Sequence, residues 1–463
     1  MSKQQPESTP SAIDRKSGRQ PGELPVIWIV CVTYGAFYFC RQNLSVALPL
    51  INDELGYSKT DLAFVFVGFK LAYAFGQLVN GQLAESLSPR RMLLVGMLGS
   101  ALLNVVFGFG AAFSFFVFAW TCNGFFQSLG WTPCVRVIGN WIPVRRRGKA
   151  IGIVGTGYQV GLGLTFLVAS FAMSEITLPL GSSTIRVGLN LGWRGAFWIN
   201  AGLLAAVAVV MWLFLRESPG PSGEKKSPRH DAAEKHDAAV KKDRLTLDQF
   251  ANNLVLTLSN PSLWLLAVSL GMLNACRYGF LDWGVTHLTE IELEKTGGTL
   301  EAGVVKSAVK YAVLPLGAVV GSFVGGWMTD RFFGSRRAPV ICGMLVLLGC
   351  LTLVYDQMAR SSFVGTMVLL AFVGFAVFGA QVLLVGTAPA DLARQGTSAA
   401  AAGFVNFMGY VGAALLGDLL TAYLVKIFDW QVAIYFWAGW AFLAAIAVTF
   451  LWNAKSQVQT ETT

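Results

Sequence analysis

Residues 34–45 read YGAFYFCRQNLS and place one arginine, Arg41, inside an apolar run that covers residues 25–51. A second apolar run, residues 261–288, contains NACRYGFLDWG and encloses Arg277 in the same way. An ionised arginine near the centre of a bilayer costs at least ~2.5 kcal/mol, so it must face other protein groups or a water-filled cavity. The two arginines therefore predict a polar site inside a bundle of membrane helices.

The composition supports a membrane protein. Apolar residues make up 54% of the chain and charged residues 13%, whereas roughly a quarter of the residues of a soluble domain are charged. The net charge of +9 comes from short basic clusters between apolar runs, and this arrangement does not favour binding to nucleic acid. The seven cysteines all fall within apolar runs without CxxC spacing, so we expect neither disulfides nor a metal site.

Twelve stretches of the chain approach the length of about 20 apolar residues that a membrane-spanning helix needs. We therefore predict an all-α membrane protein with twelve transmembrane helices. The predicted helices are 26–50, 61–85, 92–112, 115–141, 149–173, 195–215, 261–288, 304–329, 338–357, 362–388, 397–424 and 431–452.

The helices divide into two sets of six around a charged linker that contains Pro and Gly. We predict a six-helix half at 25–215, a cytoplasmic linker at 216–260 and a second six-helix half at 261–453. Residues 1–24 and 454–463 are polar and are expected to form cytoplasmic tails, the first of them disordered. Lys and Arg are concentrated in the connections on the same side as the linker, so both termini and the linker are expected in the cytoplasm.

The two halves resemble each other in sequence. GQLAESLSPRR ends at Arg91 and GGWMTDRFFGSRR ends at Arg337, a shift of 246 residues. Each of these segments lies at the end of the second predicted helix of its half. Parallel six-helix repeats related by a pseudo-two-fold axis are typical of secondary transporters.

Arg41 and Arg277 occupy near-equivalent positions in the two repeats. Arg41 lies 15 residues after Val26, and Arg277 lies 16 residues after Pro261. Two guanidinium groups facing one cavity would present fork-shaped donors suited to a phosphate or carboxylate. The alternative is that Arg277 pairs with Asp282, although a spacing of five residues puts the two on different faces of an α-helix. The expected ligand is a small anion.

Several further side chains are candidates for lining the site. Tyr34 and Tyr38 precede Arg41 by seven and four residues, so all three share one helical face. Lys306 is expected to reach the membrane interface, whereas Lys310 is expected to reach the cavity. For the remaining candidates, packing between helices is the alternative. These candidates are Lys70, Tyr158, Gln159, Asn406 and Tyr410.

The sequence lacks the motifs of an enzyme. The glycine-rich stretch GIVGTGYQVGLG, residues 152–163, lacks both GxGxxG spacing and a preceding strand, and no GxxxxGK[ST] occurs. Close packing of helices explains these glycines better. His287 is the only histidine in an apolar run. We predict no catalytic residues, no cofactor and no transport driven by ATP bound to this chain.

The chain resembles the organophosphate:phosphate antiporter family of the major facilitator superfamily over residues 25–453. The resemblance rests on YGAFYFCRQNLSVALP, GWTPCVR, RYGFLDW, GGWMTDRFFGSRR and GTSAAAAGFVNFMGY. It implies the major facilitator fold and the exchange of a phosphorylated metabolite, such as glycerol 3-phosphate or a hexose phosphate, for inorganic phosphate. It also implies that Arg41 and Arg277 bind the phosphoryl group and that Tyr34, Tyr38 and Tyr410 line the cavity.

Three positions depart from the family pattern. Tyr158 stands where glycerol 3-phosphate carriers have a histidine, and Gln77 stands where they have a lysine. Glu85 and Ser86 replace the usual Asp-Arg pair of the first glycine-rich loop. These changes leave the arginine pair intact and leave the organic part of the substrate open.

Two alternatives remain beside transport of an organic phosphate. The same family contains a sensor of sugar phosphate that signals to a histidine kinase, and such a sensor would have a similar site. A carrier of another small anion, such as a phosphonate, is the other alternative. Asp282 and Asp418 are the candidate buried acids, and they support proton symport less than exchange. We expect a monomer surrounded by membrane lipid.

Overall fold

Helices account for nearly all of the described residues, which in a computed structural model are 22–180, 183–219, 255–334, 336–393 and 397–452. Within these ranges, ten helices are long and apolar enough to cross a membrane, and the bent pair Ala338–Leu353 and Tyr355–Ser361 makes eleven. The predicted fourth span is divided into Phe113–Gln127 and Trp131–Trp141. All twelve predicted stretches thus coincide with helices, while most of the predicted tails and linker lies outside the described residues.

The first half contains six helices and one short hairpin. Its helices are α1 (Glu23–Leu55), α2 (Lys59–Ser86), α3 (Pro89–Gly108), α4 (Phe113–Gln127 and Trp131–Trp141), α5 (Val144–Met173) and α6 (Gly192–Phe214).

The second half repeats this order without a hairpin among its described residues. Its helices are α7 (Pro261–Thr296), α8 (Leu300–Phe332), α9 (Ala338–Leu353 and Tyr355–Ser361), α10 (Phe363–Gly386, followed by Ala388–Leu392), α11 (Ser398–Gly412, Ala413–Leu419 and Leu420–Ile427) and α12 (Trp430–Thr449).

The same local signals connect the first two helices of each half. α1 is followed by Gly56 at φ 70° and α7 by Gly297 at φ 59°, left-handed conformations that glycine adopts without steric cost. Ser58 then caps α2 by accepting from the Asp61 amide, and Thr299 caps α8 by accepting from the amide of residue 302. The repeat seen in the sequence is therefore present in the backbone.

The hairpin between α5 and α6 is absent from the sequence-based prediction. Ile176–Leu180 (β1) and Ser183–Val187 (β2) pair antiparallel, with Ile176 opposite Val187. Two five-residue strands carry too weak a periodic signal to stand out in a connection between long apolar helices.

Glycines bring α5 against α1, as predicted for the glycine-rich stretch of α5. A Cβ added at Gly157 would meet the carbonyl oxygen of Cys31, and one added at Gly161 would collide with the carbonyl oxygen of Gly35. Small residues let two membrane helices approach until their backbones touch. The interpretation of these glycines as packing residues is confirmed, and their contacts fix the segment of α1 that leads to Arg41.

Three helices depart from regular α geometry beside the buried arginines. α1 changes to a 3₁₀ turn at Phe37–Cys40, directly before Arg41. α7 changes to a π-helix at Gly279–Trp283, two residues after Arg277, and α11 does so at Ala413–Leu419. Such breaks are frequent at functional sites because they redirect side chains and free backbone groups.

Candidate functional site

The break in α1 before Arg41 is held by amide side chains from two neighbouring helices. The Phe37 carbonyl accepts a 2.9 Å hydrogen bond from Gln127 Nε2, and the Cys40 carbonyl accepts one of 2.8 Å from Asn123 Nδ2. Asn104 Nδ2 donates to the same Cys40 carbonyl at 3.3 Å. Backbone groups released by a helix break need such partners inside a membrane. These amides therefore fix the backbone that carries Arg41, and sequence reasoning had not identified them.

Arg41 is buried, with 7% of its surface exposed, and its guanidinium contacts aromatic side chains, most of them tyrosines. Its Nη2 donates to the Tyr410 hydroxyl at 3.0 Å and to the Tyr278 hydroxyl at 3.3 Å. Its Cζ lies 4.3 Å from the centre of the Tyr73 ring. Among the described residues, no carboxylate lies within ion-pair distance of this guanidinium. Its charge is thus surrounded by aromatic groups and is not neutralised by them.

Arg277 is 4% exposed and also lacks an acidic partner within the described ranges. Its Cζ lies 4.7 Å from the centre of the Tyr278 ring and 4.8 Å from that of Phe378. Its buried Nε has no hydrogen-bond partner in the part of the chain that the structure describes. Asp282, the alternative partner considered from the sequence, contacts Lys70 instead. Arg277 therefore retains donors for a ligand.

Tyr278 connects the two arginines. Its hydroxyl accepts from Arg41, which lies on α1, and its ring faces Arg277 on α7. Both positive charges thus contact one phenol, in a buried region between the two halves. Buried charges of one sign repel each other, and a bound anion would supply the missing opposite charge. This arrangement is suited to a small anion with several oxygen acceptors.

An aromatic wall formed by Tyr34, Tyr38, Trp131 and Tyr158 extends from Arg41 towards α4 and α5. The Tyr38 and Tyr158 rings stack with centres 5.2 Å apart, and Tyr34 lies 5.0 Å from Trp131. Arg41 Cζ lies 5.3 Å from the centre of the Tyr38 ring. Tyr38 therefore lies against Arg41, and Tyr34 lies behind it against Tyr38 and Trp131. The 3₁₀ turn at Phe37–Cys40 interrupts the regular helical face on which the sequence placed these residues.

Gln159 and Asn406 are connected to tyrosines of the site by hydrogen bonds, Asn406 through Gln77. Gln159 Nε2 donates to the Tyr158 hydroxyl at 3.1 Å. Asn406 Nδ2 donates to Gln77 Oε1 at 2.5 Å, and Gln77 Nε2 donates to the Tyr73 hydroxyl at 2.8 Å. The position at which family members carry a lysine is therefore used here in a hydrogen bond between α2 and α11.

The two lysines proposed from the sequence have other partners. Lys70 Nζ lies 2.5 Å from Asp282 Oδ2 and also contacts Asp418 Oδ2. Lys310 Nζ lies 2.6 Å from Glu292 Oε1, and the pair is buried between α7 and α8. Lys70 adjoins the arginines through Tyr278, 4.2 Å from the ring centre. None of the described contacts of Lys310 is to the arginine pair. Lys310 therefore does not lie where the sequence predicted it, in the cavity.

Sequence reasoning did not single out two of the aromatic groups at the centre of the site. Tyr278 lies next to Arg277 in the chain, and Phe378 lies on α10 against the guanidinium. Tyr278 could have been noticed as the neighbour of a buried arginine. Phe378 lies in a uniformly apolar helix, so only the packing reveals its contact with Arg277.

The fold and this site define a class: a multi-pass membrane protein of two six-helix halves with paired, buried arginines between them. Residues 30–417 match the family model described as the Major Facilitator Superfamily, and a second match covers residues 310–462. The chain belongs to the major facilitator superfamily.

Relatives of known function include transporters and a sensor. The chain is 27% identical over 439 residues to a glycerol-3-phosphate transporter of Bacillus subtilis, covering 93% of this chain and 92% of that protein. It is 29% identical over 435 residues to the membrane sensor protein UhpC of Salmonella typhimurium, covering 92% and 88%. A phosphoglycerate transporter protein of the same organism is 24% identical, covering 89% and 84%. These relatives agree with the resemblance to organophosphate:phosphate antiporters.

Solved structures share the fold. The nucleoside transporter NupG superposes with a TM-score of 0.67 at 13% identity, covering 93% of this chain and all of that one. A bacterial homolog to the human lysosomal transporter Spinster, in an inward-facing and unoccupied conformation, gives a TM-score of 0.66 at 16% identity, covering 93% and 95%. At these identities the likeness concerns the fold alone.

Proposed function

We propose that the protein is a secondary transporter that exchanges a phosphorylated organic metabolite for inorganic phosphate. The observation that carries this proposal is the pair of buried arginines, which meet at Tyr278 and lack carboxylate partners among the described residues. Their forked donors match the oxygens of a phosphoryl group. The glycerol-3-phosphate and phosphoglycerate transporters among the relatives support the same class of substrate.

The roles of the individual side chains follow from their contacts. Arg41 and Arg277 bind the phosphoryl group, and Tyr34, Tyr38 and Tyr410 extend the donor array. Tyr158, with Gln159 on its hydroxyl, stands close to the organic part of the substrate. Lys70 adjoins the site through its contact with Asp282, and Asn406 does so through its hydrogen bond to Gln77. Lys310 pairs with Glu292 and has a structural role.

Transport proceeds by a rocking motion of the two halves. Arg41 joins α1 to α11, and Gln77 joins α2 to Asn406, so the site lies where the halves must separate. An anion held by both arginines draws the halves together, and this binding energy lowers the barrier to reorientation. The empty carrier lacks that contribution, which makes the exchange obligatory.

The protein lies in the cytoplasmic membrane of a bacterium as a monomer, with both termini and the linker in the cytoplasm. This orientation rests on the Lys and Arg residues of the connections on the linker side. The end of α2 at Lys59 then faces the outside. At that end Lys59 Nζ lies 2.7 Å from Glu290 Oε1 of the second half, so the two halves are in contact on the outer side.

The test is exchange of labelled phosphate in proteoliposomes that contain the full-length protein. Arg41→Lys and Arg277→Lys keep the charge but lose the bidentate fork, and each is expected to lower exchange at least tenfold. Arg194→Lys, at a partly exposed ion pair with Glu54, is the matched control and should exchange like the wild type. Near-normal exchange by both site variants would overturn the two-arginine site. Competition by a panel of organic phosphates, phosphonates and carboxylates identifies the organic part.

A sensor is the second candidate function, favoured by the similarity to UhpC over 92% of the chain. A sensor binds the organic phosphate at the same arginines, passes little substrate across the membrane and signals to a histidine kinase. Purified protein that binds phosphate tightly but shows no exchange in proteoliposomes would support the sensor. Exchange that saturates with external phosphate would support the transporter.

A further inference from the structure

Lys70 on α2 lies between two carboxylates of the second half. Its Nζ is 2.5 Å from Asp282 Oδ2 and also contacts Asp418 Oδ2, and the three side chains are 3%, 5% and 0% exposed respectively. Gln42 Nε2 donates to Asp282 Oδ1 at 2.7 Å. Asp418 Oδ1 is buried and has no hydrogen-bond partner among the described residues. We call Lys70, Asp282 and Asp418 the Lys70 cluster.

The charges of the Lys70 cluster do not balance. One ammonium group faces two carboxylates, so the fully ionised cluster carries one excess negative charge in a buried region. An uncompensated charge in such surroundings is costly, and a single proton on a carboxylate removes it. A proton on Asp418 Oδ1 would also remove the charge from a carboxylate oxygen that no donor among the described residues stabilises. Six further charged or titratable groups on these helices surround the paired arginines beside the cluster: Tyr38 and Arg41 on α1, Tyr73 on α2, Arg277 and Tyr278 on α7, and Tyr410 on α11.

Tyr278 links the Lys70 cluster to the paired arginines. Lys70 Nζ lies 4.2 Å from the centre of its ring, Arg277 Cζ lies 4.7 Å from the same centre, and Arg41 donates to its hydroxyl at 3.3 Å. Over such short separations, away from water, a negative charge on the cluster opposes an anion at the arginines. Since linkage is reciprocal, a bound anion strengthens proton binding by the same factor.

We propose that the Lys70 cluster is a proton-binding site that takes up one proton together with the anion at Arg41 and Arg277. The proposal rests on anion binding, as in the proposed function, but it does not depend on transport. Lys70 belongs to the first half and both aspartates to the second. Any motion that separates α2 from α7 and α11 therefore breaks the cluster, which couples its proton to that motion.

The experiment measures binding of inorganic phosphate to the purified full-length protein by calorimetry. Wild type and Asp418→Asn, which mimics the protonated carboxyl, are compared from about pH 6 to about pH 9. The two dissociation constants should coincide at the acidic end. As the pH rises, binding by the wild type should weaken relative to the variant by about tenfold. The ionisation of phosphate itself is common to both proteins and cancels in the ratio.

Proton counts provide an independent readout. Repeating the titrations in buffers of different ionisation enthalpy gives the number of protons taken up per phosphate, which should be larger for the wild type than for Asp418→Asn. Asp282→Asn should behave like Asp418→Asn, and it replaces Asp418→Asn in both measurements if that variant does not fold. Glu292→Gln removes a buried carboxylate that pairs with Lys310, and it should follow the wild type at every pH.

The outcomes separate this inference from the proposed function. If the ratio of the wild-type dissociation constant to that of Asp418→Asn does not change with pH, whatever its value, the proton site is overturned. Phosphate binding that is unchanged in Arg41→Lys and Arg277→Lys would overturn the anion site at the arginines instead.

Discussion

Arg41 Nη2 on α1 donates a 3.0 Å hydrogen bond to the Tyr410 hydroxyl on α11, across the boundary between the two halves. Both side chains are buried, at 7% and 8% exposure. The phenol and its neighbour Tyr278 occupy donors of the guanidinium that a bound anion would use. This hydrogen bond therefore joins the two halves at the site.

Tyr410→Phe should raise KM for phosphate by about tenfold or more, because the Tyr410 hydroxyl is proposed to turn and donate to the bound phosphate, and a hydrogen bond to a charged group contributes ~1.5–3 kcal/mol. The ring remains, so packing against Tyr73 at 4.8 Å is kept. The measurement is the rate of phosphate exchange in proteoliposomes against phosphate concentration. Tyr423→Phe, an exposed tyrosine on the same helix, is the control and should leave KM unchanged. Equal KM values for the two variants would contradict a role for the Tyr410 hydroxyl.

Lys310→Met should lower the stability of the protein without changing its KM for phosphate. The variant removes the 2.6 Å partner of the buried Glu292 and leaves it only the half-exposed Lys306, 3.8 Å away. Breaking a buried ion pair costs about 3–5 kcal/mol, and Lys306 reduces that loss. The double variant Lys310→Met with Glu292→Gln removes both charges and should recover part of the loss. Thermal unfolding in detergent and exchange kinetics check the two expectations. A raised KM with unchanged stability would instead place Lys310 in the anion site, as the sequence had suggested.

Gly317→Ala should destabilise the second half, whereas Gly326→Ala on the same helix should not. A Cβ at Gly317 collides with the carbonyl oxygen of Ala371 on α10, and a Cβ at Gly326 meets nothing within 4 Å. Overpacking costs about 1–3 kcal/mol, while alanine at an open helical position favours the helix. Thermal unfolding of the two variants is the measurement. The same loss of stability in both would mean that backbone contact does not hold α8 against α10.

Much of the architecture follows from the sequence because a bilayer restricts the possible folds. Apolar stretches of spanning length must be helices there, since every backbone polar group needs an internal partner. For that reason the twelve predicted stretches coincide with helices. The cost of a buried arginine likewise singles out Arg41 and Arg277 without any structural information.

The breaks within the helices were not predictable in the same way. The 3₁₀ turn at Phe37–Cys40 and the π-helix at Gly279–Trp283 lie in segments with an ordinary apolar pattern. They depend on partners far away in the chain, such as Gln127 for the Phe37 carbonyl. A periodic pattern in one segment carries no record of such partners.

The sequence by itself determined the membrane location, the helix count, the repeat and the two arginines, because each of these follows from the cost of placing polar groups in lipid. Only the tertiary structure decided which charges are neutralised. From the sequence alone, a charge at Lys70 or Lys310 costs as much within the membrane as one at Arg41. In the structure, carboxylates pair with both lysines, whereas the arginines face phenols. Pairing between distant helices depends on distances of a few ångströms, and these are set by how α1, α2, α7 and α11 pack.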